Sequence, residues 1–206
     1  LKPVNHPRIR IELPVSTVGM EYSCHKKAPK MAEFVSGLIS AAKAKCGSVE
    51  FCALDATRAD AGFVFEIADA AVNAGADIIT VCDSAAEMMP DVFADFVAKT
   101  AEHINGKAEI AVMCSDKNGM AAASAVLAVK NGADTVKTAV CRNITELETF
   151  AGTIKNCGNS CGFESGIKYT ELNRIVKQIM WITGKKAERP AVSPVANDEE
   201  AVMLDR

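Results

Sequence analysis

The chain has 206 residues, of which 49% are hydrophobic and 24% charged, and its formal net charge is −3. This composition suits one globular domain, or most of a larger one, with a substantial core, and excludes a disordered chain. Scattered Lys and Arg residues form no basic stripe for nucleic acid, and no apolar run reaches the roughly 18 residues of a membrane span.

From the N-terminus, Leu1 to Pro7 carries no signal-peptide core, and a cytoplasmic location is expected. Apolar runs predict strands over 8–14, 48–54, 78–83, 109–114 and 135–140. Helical spacing predicts helices over 28–45, 60–74, 88–104, 118–131, 145–156 and 169–183. In the second of these, Phe63, Ile67, Ala70, Ala71 and Ala74 keep the period while Phe65 breaks it. In the last, Leu172, Ile175, Val176, Ile179 and Met180 form an apolar stripe expected to pack as core. Residues 188–206 carry two prolines and the acidic run Asp198-Glu199-Glu200, so an extended or docking tail is expected after a domain over 1–187.

Two segments share one grammar: Asn73-Ala-Gly-Ala-Asp-Ile-Ile before the third strand, and Lys130-Asn-Gly-Ala-Asp-Thr-Val before the fifth. A helix stops at Gly75 or Gly132, an Ala-Asp turn follows, and a β-branched run begins. Cys46-Gly47-Ser48 opens the second strand in a similar way. Such alternation predicts an α/β fold with a parallel sheet and crossover helices. The repeats supply about five of the eight units of a (β/α) TIM barrel, which typically takes about 250 residues. Periodicity alone leaves an open, flavodoxin-like sheet as the alternative.

Both architectures bind ligands at the carboxyl ends of parallel strands. Those ends carry Asp55-Ala-Thr-Arg58, Asp83-Ser84, Ser115-Asp116-Lys117-Asn118 and Arg142-Asn143. Asp116 and Asn118 precede a helix and also fit simple capping roles. Lys137 lies within Thr135-Val-Lys-Thr-Ala-Val140. Facing inward, it would be a candidate nucleophilic amine; facing outward, it would snorkel or pair with a carboxylate. The three histidines, His6, His25 and His103, form no HxH or HxxxH pair, and no phosphate loop or GxSxG elbow occurs. Four of the eight cysteines, Cys52, Cys82, Cys114 and Cys141, fall in or at the end of apolar runs and read as buried thiols in a reducing compartment. Cys157-Gly-Asn-Ser-Cys161 reads as a Gly-rich loop with incidental thiols rather than a zinc knuckle.

At these strand ends the chain resembles the 2-isopropylmalate synthase family, with homocitrate and citramalate synthases as its relatives, a DRE-TIM or HMGL-like barrel. Arg8-Ile-Arg-Ile-Glu-Leu-Pro-Val-Ser-Thr-Val-Gly-Met-Glu-Tyr22 resembles the family's fourth strand and loop, and Val49-Glu-Phe-Cys-Ala-Leu-Asp-Ala-Thr-Arg58 its fifth. Ala74-Gly-Ala-Asp-Ile-Ile-Thr-Val-Cys-Asp-Ser84 is similar to the sixth and Ile110-Ala-Val-Met-Cys-Ser-Asp-Lys-Asn-Gly-Met-Ala121 to the seventh. Ile167-Lys-Tyr-Thr-Glu-Leu-Asn-Arg174 resembles the segment that follows the barrel, so the likeness runs in order over about residues 8–184.

The resemblance implies an eightfold barrel that condenses acetyl-CoA with a 2-oxo acid. It further implies a divalent metal on a first-strand Asp and a His-x-His pair on the seventh strand. At the two histidine positions this chain has Met113 and Ser115, and Leu54 stands where the fifth strand carries an acidic residue. The first three strands of the pattern have no counterpart here. The expected protein is therefore a non-catalytic or partner-dependent homologue without metal ligands or cofactor. The alternative is a metal-independent enzyme acting on a 2-oxo acid or carboxylate. Arg10, Asp55, Arg58, Ser84, Ser115, Arg142 and Asn143 are the expected substrate-facing residues, with Lys117 and Lys137 as candidate reactive lysines. A homo-oligomer, or pairing with a chain that completes the barrel, is expected, with a small carboxylate as ligand.

Overall fold

The structure, a computed structural model, describes residues 5–140 and 143–184. Arg142 and the 188–206 tail lie outside the described residues. Five parallel strands, β1 (Arg8–Pro14), β2 (Ser48–Leu54), β3 (Ile78–Asp83), β4 (Glu109–Cys114) and β5 (Thr135–Val136), lie side by side in chain order. A short α1 (Thr17–Gly19) and a π turn, Met20–Cys24, precede α2 (Ala28–Lys43). Then α3 (Ala61–Asn73), α4 (Pro90–Ile104) and α5 (Ala121–Lys130) carry the remaining crossovers, and α6 (Leu147–Cys161) and α7 (Tyr169–Thr183) follow the sheet. A doubly wound sheet reverses strand order at a switch point. No reversal occurs here, so the sheet is part of a (β/α) barrel.

The repeated Gly-Ala-Asp turn has a structural job. Gly75 and Gly132 take φ of 105° and 102°, which a side chain would resist. The aspartate that follows then caps the neighbouring strand. Asp77 accepts the Val49 N–H at 2.8 Å, and Asp134 accepts the Ile110 N–H at 2.9 Å. Each turn thereby sets the register of its own strand against the one before it.

Alternation along the strands separates two faces. Val49, Phe51, Ala53, Ile79, Val81, Ile110 and Val112 point toward the helices and join Val35, Ile39, Ile67, Phe93, Val97 and Ala125 in one core. Glu50, Cys52, Thr80, Cys82, Met113 and Lys137 occupy the opposite, inner face.

Three expectations change. The fifth strand ends at Val136 rather than 140, because Ala139 turns to donate to the Thr145 carbonyl and bridges to Glu146. The 157–161 segment is not a loop: α6 continues to Cys161 and stops at Gly162, whose φ is 77°. Gly158 is needed inside that helix, since a Cβ there would come within 2.5 Å of the Phe163 carbonyl oxygen. Finally, the α7 stripe splits. Leu172 and Val176 pack against Ala151 of α6, while Ile175 is 43% exposed. Among the described residues no helix is long and apolar enough to cross a membrane.

Candidate active-site face at the strand ends

The loop after β2 begins with Asp55 in the left-handed region, φ 60°, a conformation that Asp tolerates better than most residues. Its amide donates to the Ser84 hydroxyl at 3.0 Å, tying the end of β2 to the end of β3. Arg58, three residues on, grips the Asp55 carboxylate with Nε and Nη2, both at 2.7 Å. Such a fork is the strong form of a charge-assisted bond. Asp83, buried at the end of β3, accepts from the Thr57 hydroxyl at 2.8 Å and from the Glu87 amide. Lys117 reaches across from the β4 loop to the Ser84 carbonyl at 3.1 Å, and Asn118 to the Ala86 carbonyl at 2.8 Å. Asp116 accepts the Ala121 N–H at 3.1 Å at the start of α5, a capping role. Three strand ends are thus laced into one polar floor, and Arg58 keeps 48% of its side chain exposed above it.

Burial pushes the Asp55 carboxyl up, but the Arg58 fork, the Ser16 hydroxyl and the charges of Arg58 and Lys117 outweigh it. Its pKa therefore lies below the ordinary carboxylate value. A carboxyl depressed on folding adds stability above the unfolded pKa and loses it as pH falls through the folded one. We expect Arg58→Ala to flatten the acid limb of the stability curve below about pH 4, measured by urea unfolding across pH. An unchanged acid limb would remove this role from the pair.

At the end of β4, Ser115 donates to the Asn143 carbonyl at 3.5 Å, and the Asp116 N–H donates to the same oxygen at 3.1 Å. Met113 Sδ takes a contact from Arg10 Nη2 at 3.7 Å. Arg10 therefore lies over the inner face rather than beside Asp55 and Arg58, and it pairs with Glu12.

Below the strand ends lies a charged layer that sequence reasoning overlooked. Glu50 is only 1% exposed, yet it accepts from the Thr80 hydroxyl at 2.7 Å and pairs with Lys137 Nζ at 2.7 Å. Arg8 and Arg10 stand 3.9 and 3.8 Å from its carboxylate. Lys137 does face inward, just beyond β5, but as the partner of a carboxylate. The pairing holds the Lys137 side chain against Glu50, away from the strand-end floor. The available signal was alternation: Glu50 breaks the apolar run Val49-Glu-Phe-Cys at a position that shares a face with Cys52.

The HMGL-like family model matches residues 4–179. This chain belongs to the HMGL-like family. Its curated relatives include a 2-isopropylmalate synthase of Carboxydothermus hydrogenoformans, 30% identical over 192 residues. That match covers 89% of this chain and 38% of the relative. A 2-isopropylmalate synthase of Dictyoglomus turgidum matches at 30% identity with the same coverage. The chain thus spans under half the length of these relatives. Among solved structures, an HMG-CoA lyase from Pseudomonas aeruginosa superposes with a TM-score of 0.76 at 13% identity, over 90% of this chain and 66% of the lyase. One from Brucella melitensis gives 0.67 at 14%, over 84% and 66%. At these identities the lyases show the shared barrel fold alone.

At the two positions where the resemblance would place histidines, Met113 is a thioether in contact with a guanidinium and Ser115 a neutral hydroxyl. Leu54 closes β2 with an apolar side chain. Among the described residues, no three His, Cys, Asp or Glu side chains are grouped so that they could hold a metal ion. The structure brings Asp55, Arg58, Ser84 and Lys117 together, and places Ser115 beside Asn143. It separates Arg10 and Lys137 from that floor and groups them around Glu50.

Proposed function

We propose that this chain is a divergent 2-isopropylmalate synthase-like barrel segment that does not by itself condense acetyl-CoA with a 2-oxo acid. It acts instead as a non-catalytic or partner-dependent homologue. The contact that carries this reading is Arg10 Nη2 on Met113 Sδ at 3.7 Å. Thioether sulfur suits soft ions poorly matched to this chemistry, and a fixed cation beside it repels a divalent ion. The neighbouring Ser115 hydroxyl is a weaker donor than imidazole. These groups do not fit the family's metal.

The sheet supports partner dependence. Among the described residues β1 and β5 are its two edges, and an open edge carries backbone N–H and C=O groups that invite another strand. A second copy, or a chain supplying the remaining barrel strands, meets that need. A carboxylate ligand held by Arg58 and Lys117 without a metal is the second reading, favoured by the exposure of Arg58 above the strand-end floor.

The purified chain, supplied with acetyl-CoA, a panel of 2-oxo acids and Mg, Mn or Zn, is expected to release no coenzyme A thiol above background. Metal-dependent release would overturn the proposal. Light scattering of the same sample is expected to give a mass above that of one chain, and a monodisperse monomer would remove the partner-dependent form.

A further inference from the structure

We propose that Cys52 and Cys82 form a redox-active dithiol that small hydroperoxides convert to a disulfide. Cys52 sits on β2 and Cys82 on β3, both fully shielded on the inner face, with their Sγ atoms 3.2 Å apart. A disulfide sets the sulfurs about 2 Å apart, about 1 Å closer than they stand, and its formation also asks the two strands to shift toward each other. The two thiols meet diagonally, because the register partner of Cys52 is Thr80, two residues before Cys82.

The surroundings divide the labour between them. The hydrogen bond shared with Cys82 and the charges of Arg10 and Lys137 hold the Cys52 thiol below its ordinary pKa, against burial and the charge of Glu50. Cys82, hydrogen-bonded to Cys52 and buried, is held well above. Cys52 is therefore the nucleophile and Cys82 the thiol that resolves it. Arg10, 34% exposed, lies over the same inner face and touches Met113, the register partner of Cys82. A buried thiol without such neighbours behaves as an inert hydrophobe.

Each step balances. The Cys52 thiolate attacks the terminal peroxide oxygen, the O–O bond breaks, and the leaving hydroxide takes a proton to become water. The Cys82 sulfur then displaces the hydroxyl of the sulfenic acid on Cys52, and the Cys82 proton leaves with it as a second water. Two thiols are oxidised to one disulfide and one hydrogen peroxide is reduced to two waters. Because Cys82 directly precedes Asp83 and Ser84, the new bond draws on the strand end that holds Thr57 and the Asp55 amide.

The test uses the full chain carrying C157S and C161S, which removes two thiols on α6. The folded protein is treated with hydrogen peroxide, quenched, labelled with N-ethylmaleimide under denaturing conditions and digested without reductant. The expected result is a Cys52–Cys82 linked peptide, loss of both maleimide labels, and their recovery after reduction. With C82S the expected product is a dimedone-trapped sulfenic acid on Cys52. The linked-peptide readout needs no substitution at the pair, so it holds whether or not C82S folds. Maleimide on both cysteines after peroxide treatment would overturn the proposal. So would a link that forms only when denaturant precedes peroxide.

Discussion

Glu50→Ala is expected to lower stability by about 3–5 kcal/mol, the cost of stripping one partner from a buried ion pair. Glu50 is 1% exposed and Lys137 keeps only 18% of its side chain in contact with solvent. Without the carboxylate, the ammonium remains largely buried, with the guanidinium groups of Arg8 and Arg10 on the same face. The Thr80 hydroxyl also loses its acceptor. The two arginines rehydrate more readily, because their side chains are 44% and 34% exposed, so Lys137 carries most of the penalty. That assignment has its own check. Combining Glu50→Leu with Lys137→Met removes both charges from the layer and is expected to recover most of the lost stability. Urea midpoints for the wild type, Glu50→Ala and the double variant decide the matter. A double variant as unstable as Glu50→Ala would place the cost in packing rather than in the stranded charge.

Alkaline pH is expected to destabilise the fold through Cys114, at the end of β4. Burial pushes this thiol up to about 12, aided by the negative charge of Asp83 and opposed by the Thr145 hydroxyl. The unfolded thiol ionises near the ordinary thiol value of 9.0, while the folded one stays protonated. Between those values the folded state binds more protons, so stability is full below the unfolded pKa and falls as pH rises toward the folded one. The slope is about 1.4 kcal/mol per pH unit for one such group. Cys114→Ala removes that contribution. Its denaturant midpoint is expected to start lower, from the lost packing, and then to fall less steeply than that of the wild type above pH 9.0. Parallel slopes would show that another group controls the alkaline limb.

The five strands were legible because each apolar run is framed by punctuation that sterics enforce. Gly75 and Gly132 end helices in a conformation closed to other residues, and Asp77 and Asp134 then find the strand amides they cap. The 135–140 run misled because β-branched content does not say whether a backbone partner exists. Ala139 found Thr145 instead of β4. Cys157 to Cys161 misled because a glycine looks like a stop wherever it stands, and Gly158 serves close packing under Phe163 instead.

Of the strand-end residues, Asp55, Arg58, Ser84 and Lys117 do converge, as their common place after apolar runs suggested. Glu50 was missed because alternation reports which residues share a face and not what lies across from it. Lys137 was singled out for its place inside an apolar run with its direction left open, and its partner is 87 residues earlier in the chain.

Local sequence by itself determined the βα alternation, the helix stops and the polar strand ends, since all of these follow from contacts within a few residues. Tertiary structure decided the strand order, the pairing of Glu50 with Lys137, the contact of Arg10 with Met113 and the meeting of Cys52 with Cys82. Those depend on register between strands, which brings distant residues within bonding distance and which no local pattern encodes.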